Sequence, residues 1–274
     1  MKYFFATGYN KSGTTFLQML LDGHPEINCP PEHHLITASN FMRQFDKNYL
    51  PVIKMFDERT AKQGLRYDGD AVYNNAMRAI ITTFMEQGSS PSTLLSGIND
   101  NWLFTDLPYW HSLLPQAKFV VIVRDPREAG VSLWHHLDRT EPHKTKGRTI
   151  DEFIPNIGDI WSKHINAVWN FGQTRGKGSL VVVRYEDLIS EKRVKVLQSL
   201  LEWLEVDASK KTVEQCFYLT DRAKDKGMSK KGKSFYRSGK VDTWRVEVSA
   251  AAIASLEKKC KKQMEAAGYT TEYC

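Results

Sequence analysis

The sequence predicts an α/β fold in three layers, with a central parallel sheet flanked by helices on both faces. Three observations lead there. Apolar, β-branched runs recur at residues 3–6, 93–96, 102–105, 119–123 and 180–183, and longer stretches with helical periodicity separate them; that alternation builds parallel sheets. The run Phe119-Val120-Val121-Ile122-Val123 is apolar without alternation, as a mid-sheet strand covered on both faces requires. Finally, Gly8-Tyr9-Asn10-Lys11-Ser12-Gly13-Thr14-Thr15 lies between the apolar runs Tyr3-Phe4-Phe5-Ala6 and Phe16-Leu17-Gln18-Met19-Leu20-Leu21, which reads as strand, phosphate loop and helix, the entry to a P-loop-type fold.

The first strand and its loop explain each other. Glycines let the backbone turn with its NH groups inward, the helix expected over residues 14–21 adds its positive end, and Lys11 with the hydroxyls of Ser12, Thr14 and Thr15 supplies charge and donors for an anion. The residue order is unusual. A nucleoside-triphosphatase loop reads G-x-x-x-x-G-K-[ST], whereas Lys11 precedes Gly13 and no lysine follows it. A different phosphate donor is expected.

Further helices are expected over residues 70–86, 127–137, 150–171, 191–204 and 249–267. The last two carry apolar residues at spacings of three and four, for example Val194, Leu197, Leu201 and Leu204, and read as scaffold. Residues 37–75 and 140–159 are the loops from which an acceptor pocket would be built. Residues 224–239, rich in Gly and Lys, show neither period and read as a long functional loop. After the mid-sheet strand comes Arg124-Asp125-Pro126-Arg127-Glu128, where Asp125 can cap a helix and Pro126 can occupy its first turn. Arg124 is thereby placed at the carboxyl end of a strand, where open α/β sheets bind ligands, with Ser132 two turns into the next helix and His136 one turn further. An arginine at that strand end suits a phosphate, where a triphosphatase places an acidic magnesium ligand.

The bulk composition narrows the class. At 274 residues, 41% hydrophobic and 26% charged, without an apolar run of membrane-spanning length, the chain reads as one soluble enzyme-sized domain over residues 1–274 with no membrane span. Its first residues run straight into the phosphate loop, so no export signal is expected. Cys29, Cys216, Cys260 and Cys274 form no C-x-x-C pair, so neither zinc nor a disulfide framework is expected, and a reducing cytoplasm is. The net charge of +6, with much of the excess in residues 224–240, fits a small anionic nucleotide better than a nucleic-acid surface.

Lys11-Ser12-Gly13-Thr14-Thr15-Phe16, then Val123-Arg124-Asp125-Pro126-Arg127 with Ser132, then Arg184-Tyr185-Glu186-Asp187-Leu188, then Phe235-Tyr236-Arg237-Ser238-Gly239 with Trp244 stand in the order found in sulfotransferases. The chain resembles that family over nearly its whole length. The resemblance implies 3'-phosphoadenosine 5'-phosphosulfate (PAPS) as co-substrate, adenosine 3',5'-bisphosphate (PAP) as product, and no metal. The first motif is similar to the family's 5'-phosphosulfate loop, P-K-S-G-T-T-W, with Asn10 for proline and Phe16 for tryptophan, where Phe16 can still stack on adenine. Arg124 and Ser132 carry over as 3'-phosphate ligands, Tyr185 as a neighbour of the adenine, and Arg237, Ser238 and Gly239 as the R-K-G loop. Ser238 stands where the cytosolic enzymes have lysine, which implies a weaker grip. Lys11 would then be the cation at the bridging oxygen of the donor, in place of magnesium.

The general base is the open assignment. In the cytosolic branch it is a histidine in T-H-L-P, but here the residues are Thr105-Asp106-Leu107-Pro108. The N-terminal stretch with Leu21-Asp22-Gly23-His24-Pro25-Glu26 and Pro31-Glu32-His33-His34 is similar to tyrosylprotein sulfotransferases, whose catalytic glutamate falls at Glu32. Glu32 is the favoured base, helped by burial against Pro30, Pro31 and Leu35; Asp106 and a histidine are the alternatives. His33 and His34 are expected to line the acceptor pocket, and Trp110, His111, Trp134 and His135 are further candidates for it. The acceptor would be a hydroxyl of a small molecule, sugar or tyrosine. Competing readings are a P-loop kinase or nucleotide hydrolase, disfavoured by the lysine order, and a catalytically inactive PAP-binding module.

Overall fold

A computed structural model of the chain describes residues 2–32, 34–60, 68–225 and 242–274. Its strands are β1 (Lys2–Gly8), β2 (Ile27–Asn28), β3 (Leu95–Asn99), β4 (Lys118–Val123) and β5 (Leu180–Arg184), in one sheet of order β2-β3-β1-β4-β5. Every neighbouring pair is parallel. The helices are α1 (Thr14–Asp22), α2 (Leu35–Thr60), α3 (Gly69–Glu86), α4 (Leu107–Leu113), α5 (Pro126–Thr140), α6 (Ile150–Phe153), α7 (Pro155–Gln173), α8 (Tyr185–Ile189), α9 (Arg193–Leu204), α10 (Lys210–Asp225), α11 (Trp244–Glu247) and α12 (Ala250–Ala266).

The three predicted layers are present, and the pleat explains why β1 and β4 are apolar throughout. Side chains alternate between faces. Phe5, Phe119 and Val121 enter one core with Met77 of α3, Trp110 of α4, Trp161 and Phe171 of α7 and Leu256 of α12. Phe4, Ala6, Val120 and Ile122 enter the other, with Leu17 and Leu20 of α1, Leu201 of α9 and Phe217 of α10. The strand order reverses at β1, between β3 on one side and β4 on the other. This switch point opens a crevice at the carboxyl edge.

Several elements depart from expectation. Residues 102–105 form no strand; Leu103–Asp106 is a short 3-10 turn. Pairing of β3 with β1 ends at Asn99 opposite Ala6, and the buried Asp100 then takes the Trp102 N–H at 3.1 Å, turning the chain as an Asx residue does. A long helix, α2, occupies much of residues 37–75, and α10 is a further helix that the periodicity did not reveal. The helix expected over residues 150–171 is divided at Pro155: α6 starts on a capping box of Thr149 and Glu152, and Pro155 opens α7, a position where its missing N–H costs nothing. No helix among the described residues is long and apolar enough to cross a membrane.

Candidate functional site

Strand register brings the predicted site residues to one edge. Gly8 lies opposite Ile122, Val123 opposite Arg184, and Ala6 opposite Asn99. The loop after β1, Arg124 after β4, Tyr185 after β5 and Asp100 after β3 therefore all leave the sheet at its carboxyl end.

Two backbone features make the loop. Lys11 and Gly13 both hold positive φ, 65° and 94°, and the Ser12 N–H bonds the Tyr9 carbonyl at 3.0 Å. A Cβ on Gly13 would stand 2.4 Å from the Tyr185 ring, and one on Gly8 would stand 2.5 Å from the Ile122 carbonyl oxygen. Glycine is thus required for chain approach as well as for dihedral freedom. α1 starts on Gly13 with no side-chain cap, so its positive end is directed at the loop. The Ser12 hydroxyl is fully buried and has no hydrogen-bond partner among the described residues. An acceptor such as a phosphate oxygen would satisfy it.

Arg124 ties the loop to the next strand. It is 8% exposed, its Nη1 donates to the Lys11 carbonyl at 3.0 Å, its Nη2 reaches Glu128 Oε2 at 3.3 Å, and its guanidinium lies 4.5 Å from the centre of the Tyr185 ring. The Arg124 carbonyl accepts from Trp161 Nε1 at 3.1 Å, which fixes the turn into α5. Asp125 caps that helix by accepting from the Arg127 N–H, as its sequence position implied. Phe16 packs in the core edge-on to Tyr185, with the ring centres 6.0 Å apart. Ser132 is half-buried one helical turn beyond Glu128, hence on the helix face that looks toward Arg124. His136 and Arg139 continue this face.

The charges on that face act on Lys11. Burial, then Arg139, then Arg124 push the Lys11 ammonium down to about 8, opposed by Glu32. Burial, Lys11 and Arg139 likewise lower His136. Arg139 was not singled out in the sequence; its signal is its place three residues beyond His136 and seven beyond Ser132 on one face of α5. Glu32 is half-buried, with Oε2 accepting from Asn101 Nδ2 at 3.1 Å and Oε1 lying 3.7 Å from His34 Nδ1. Burial raises its proton affinity, the nearby Asp100 adds to that, and His34, the backbone N–H of Asn101 and Lys11 oppose it. Lys11 and Glu32 therefore feel each other across the crevice.

The remaining candidates are distributed differently. Asp106 is exposed, and its carboxylate caps α4 by accepting the Tyr109 N–H at 3.2 Å. His34 is exposed, with a positive φ of 50°. His135 pairs with Glu247 of α11, Trp110 is fully buried core, and His111 and Trp134 pack on Phe171 and Phe153. His33 and the loop with Arg237, Ser238 and Gly239 lie outside the described residues, as does most of the stretch over residues 224–239. Beyond that stretch, the Thr243 hydroxyl and the Trp244 N–H both bond Glu128, at 3.2 and 3.1 Å, the same carboxylate that holds Arg124.

A family model described as "Sulfotransferase family" matches residues 4–210. The chain is similar to protein-tyrosine sulfotransferase 1 of Homo sapiens, 30% identical over 131 residues, which are 46% of this chain and 32% of the relative. It is also similar to nodulation protein NoeE of Sinorhizobium fredii (strain NBRC 101917 / NGR234), 26% identical over 260 residues, 89% of this chain and 60% of the relative. The chain thus spans about a third of the length of the human relative. Among solved structures, it is similar to the sulfotransferase domain from the Synechococcus PCC 7002 olefin synthase (TM-score 0.64, 21% identity, 99% of this chain and 96% of the other). Mouse sulfotransferase SULT7A1 complexed with PAP is similar too (TM-score 0.63, 17% identity, 96% and 84%). At such identities these structures speak to the fold.

Proposed function

Since this chain belongs to the sulfotransferase family, we propose that it transfers the sulfuryl group of PAPS to an acceptor hydroxyl and releases PAP. The observation that carries this reading is the bond from Arg124 Nη1 to the Lys11 carbonyl, made by a guanidinium that also covers the Tyr185 ring. It joins the loop after β1 to the end of β4, which supports a reading in which two anion sites share one crevice. The donor fits the residues present: the buried Ser12 hydroxyl needs a partner, and α1 begins at Gly13 without a side-chain cap, which leaves its positive end to an anion.

In this reading Ser12, Gly13, Thr14 and Thr15 hold the 5'-phosphosulfate, Arg124 and Ser132 the 3'-phosphate, and Phe16 and Tyr185 border the adenine. Arg237, Ser238 and Gly239 complete the donor site. The acceptor oxygen attacks sulfur; the new S–O bond forms as the bond from sulfur to the bridging phosphate oxygen breaks, and that electron pair leaves with the phosphate. Lys11 stabilises the leaving charge. Glu32 takes the acceptor's proton, with a proton affinity raised by burial and by Asp100, as a base at neutral pH needs. His33 and His34 border the acceptor. Glu32 and not Asp106 is favoured as base because Asp106 is committed to its helix cap.

The acceptor is a hydroxyl on a small molecule, a sugar or a tyrosine, the last in the panel because a relative is named for it. The test is thermal stabilisation by PAP against ATP with magnesium, followed by transfer of label from PAPS to an acceptor panel by wild type and Glu32→Ala. PAP stabilises and ATP does not, and Glu32→Ala loses transfer. Stabilisation by ATP alone sinks the donor assignment; equal transfer by the variant sinks the base.

A further inference from the structure

The residues that follow β3 contact the segment that carries Glu32 and opens α2 at two points. Asp100 is fully buried at the carboxyl end of β3, with its own N–H bonded to the Ala6 carbonyl at 3.0 Å. Its Oδ2 accepts the Leu35 N–H, the first of α2, at 2.6 Å, while Oδ1 accepts from Trp102. A helix N-terminus is normally capped from its own chain just upstream. Here the His34 carbonyl accepts the Thr37 and Ala38 N–H groups, and the N–H of the first helical residue is taken from outside the helix by the carboxylate at the end of β3. Glu32, three residues before that start, is thus moored to the strand that borders β1. Its carboxylate is then held by the next residue, Asn101, at 3.1 Å.

We propose that Asp100 and Asn101 are positioning residues for Glu32: Asp100 fixes the backbone that carries it, and Asn101 fixes the carboxylate, leaving Oε1 to the acceptor. The proposal rests on Glu32 being the base. The pair acts on Glu32 with opposite electrostatic signs. Asp100 disfavours ionisation of a second carboxylate, whereas the Asn101 amide favours it. The other charged groups facing Glu32 are His34 from its own loop and Lys11 from the loop after β1, and Arg139 and Arg124 act on Lys11 in turn.

The test reads Glu32 directly. Carboxyl carbon-13 titration of the full chain, with the Glu32 signal assigned by its loss in Glu32→Gln, gives its midpoint in wild type, Asp100→Asn and Asn101→Ala. Asp100→Asn lowers the midpoint by about one unit and Asn101→Ala raises it. In the pH profile of transfer, the acidic limb follows the same two directions, and kcat falls about tenfold in Asn101→Ala with KM for PAPS unchanged. Unchanged midpoints in both variants overturn the proposal, even where one variant folds poorly, since the other still reports. Shifted midpoints with transfer insensitive to Glu32→Gln overturn the base assignment and leave the positioning intact.

Discussion

Lys11 offers a quantitative test of the donor site, because burial and two guanidinium neighbours push its pKa down to about 8 in the free protein. A bound anion reverses that effect, since it favours the charged ammonium. The sign follows directly. Below pH 8 Lys11 is already charged and binding costs no proton; above it, each unit of pH leaves about a tenth of the molecules protonated, so the PAP dissociation constant rises about tenfold per unit. The phosphate groups contribute no slope there, because their second ionisation, near pH ~6, is complete, and Arg124 and Arg139 stay charged. Calorimetric titration with PAP from about pH 7.5 to about pH 9.5 therefore gives a falling affinity with a limiting slope of about one proton. Lys11→Arg, whose guanidinium does not titrate, flattens that slope whatever it does to the affinity itself. A flat wild-type profile, or an equally steep decline in Lys11→Arg, refutes the placement of Lys11 against the anion.

Other expectations concern the frame around the site. Gly13→Ala costs about 1–2 kcal/mol for its left-handed backbone and drives Tyr185 from its place, so PAP ceases to raise the thermal midpoint. Glu257 is fully buried, accepts from Arg127 Nη1 at 2.8 Å and takes the N–H groups of Glu272 and Tyr273; Glu257→Ala leaves Arg127 to Asp125 alone and removes the acceptor of both N–H groups, which lowers unfolding stability in urea by about 1–3 kcal/mol. His164 is wholly buried and pushed from 6.5 down to about 3 by burial. Its imidazole stays neutral when folded and takes a proton when unfolded, so stability is lost as pH falls from 6.5 toward 3, by about 1.4 kcal/mol per unit. His164→Phe reduces that slope in denaturant titrations, and an unchanged slope contradicts the assignment.

The fold was legible wherever one short segment carried its own signal. The apolar run of β4, the glycines around Lys11 and the Asp125-Pro126 helix start each depend on neighbours in sequence, and each stands where expected. Two of the misses depend on distant partners, whereas the break at Pro155 was signalled locally by the proline and the Thr149 capping box. α2 takes its first cap from Asp100, sixty-five residues on, so nothing within residues 37–75 announces it. The run at residues 102–105 has strand composition, but the Asp100 carboxylate turns the chain before it can pair. In the site, Arg124 and Tyr185 were legible as motifs, whereas Arg139 acts through the helical face it shares with Ser132 and His136 and belongs to no motif.

Glu128 ends in a position of divided attachment. One carboxylate holds Arg124 on the sheet side and receives Thr243 and Trp244 from the far side. Were an anion that draws the Arg124 guanidinium toward itself to change what Glu128 offers to Trp244, thermodynamic reciprocity would make the anchoring of Trp244 feed back on the anion with equal free energy. Coupling of this kind is expected as slower or faster hydrogen exchange at the Trp244 amide on adding PAP, and equal exchange with and without PAP rules it out.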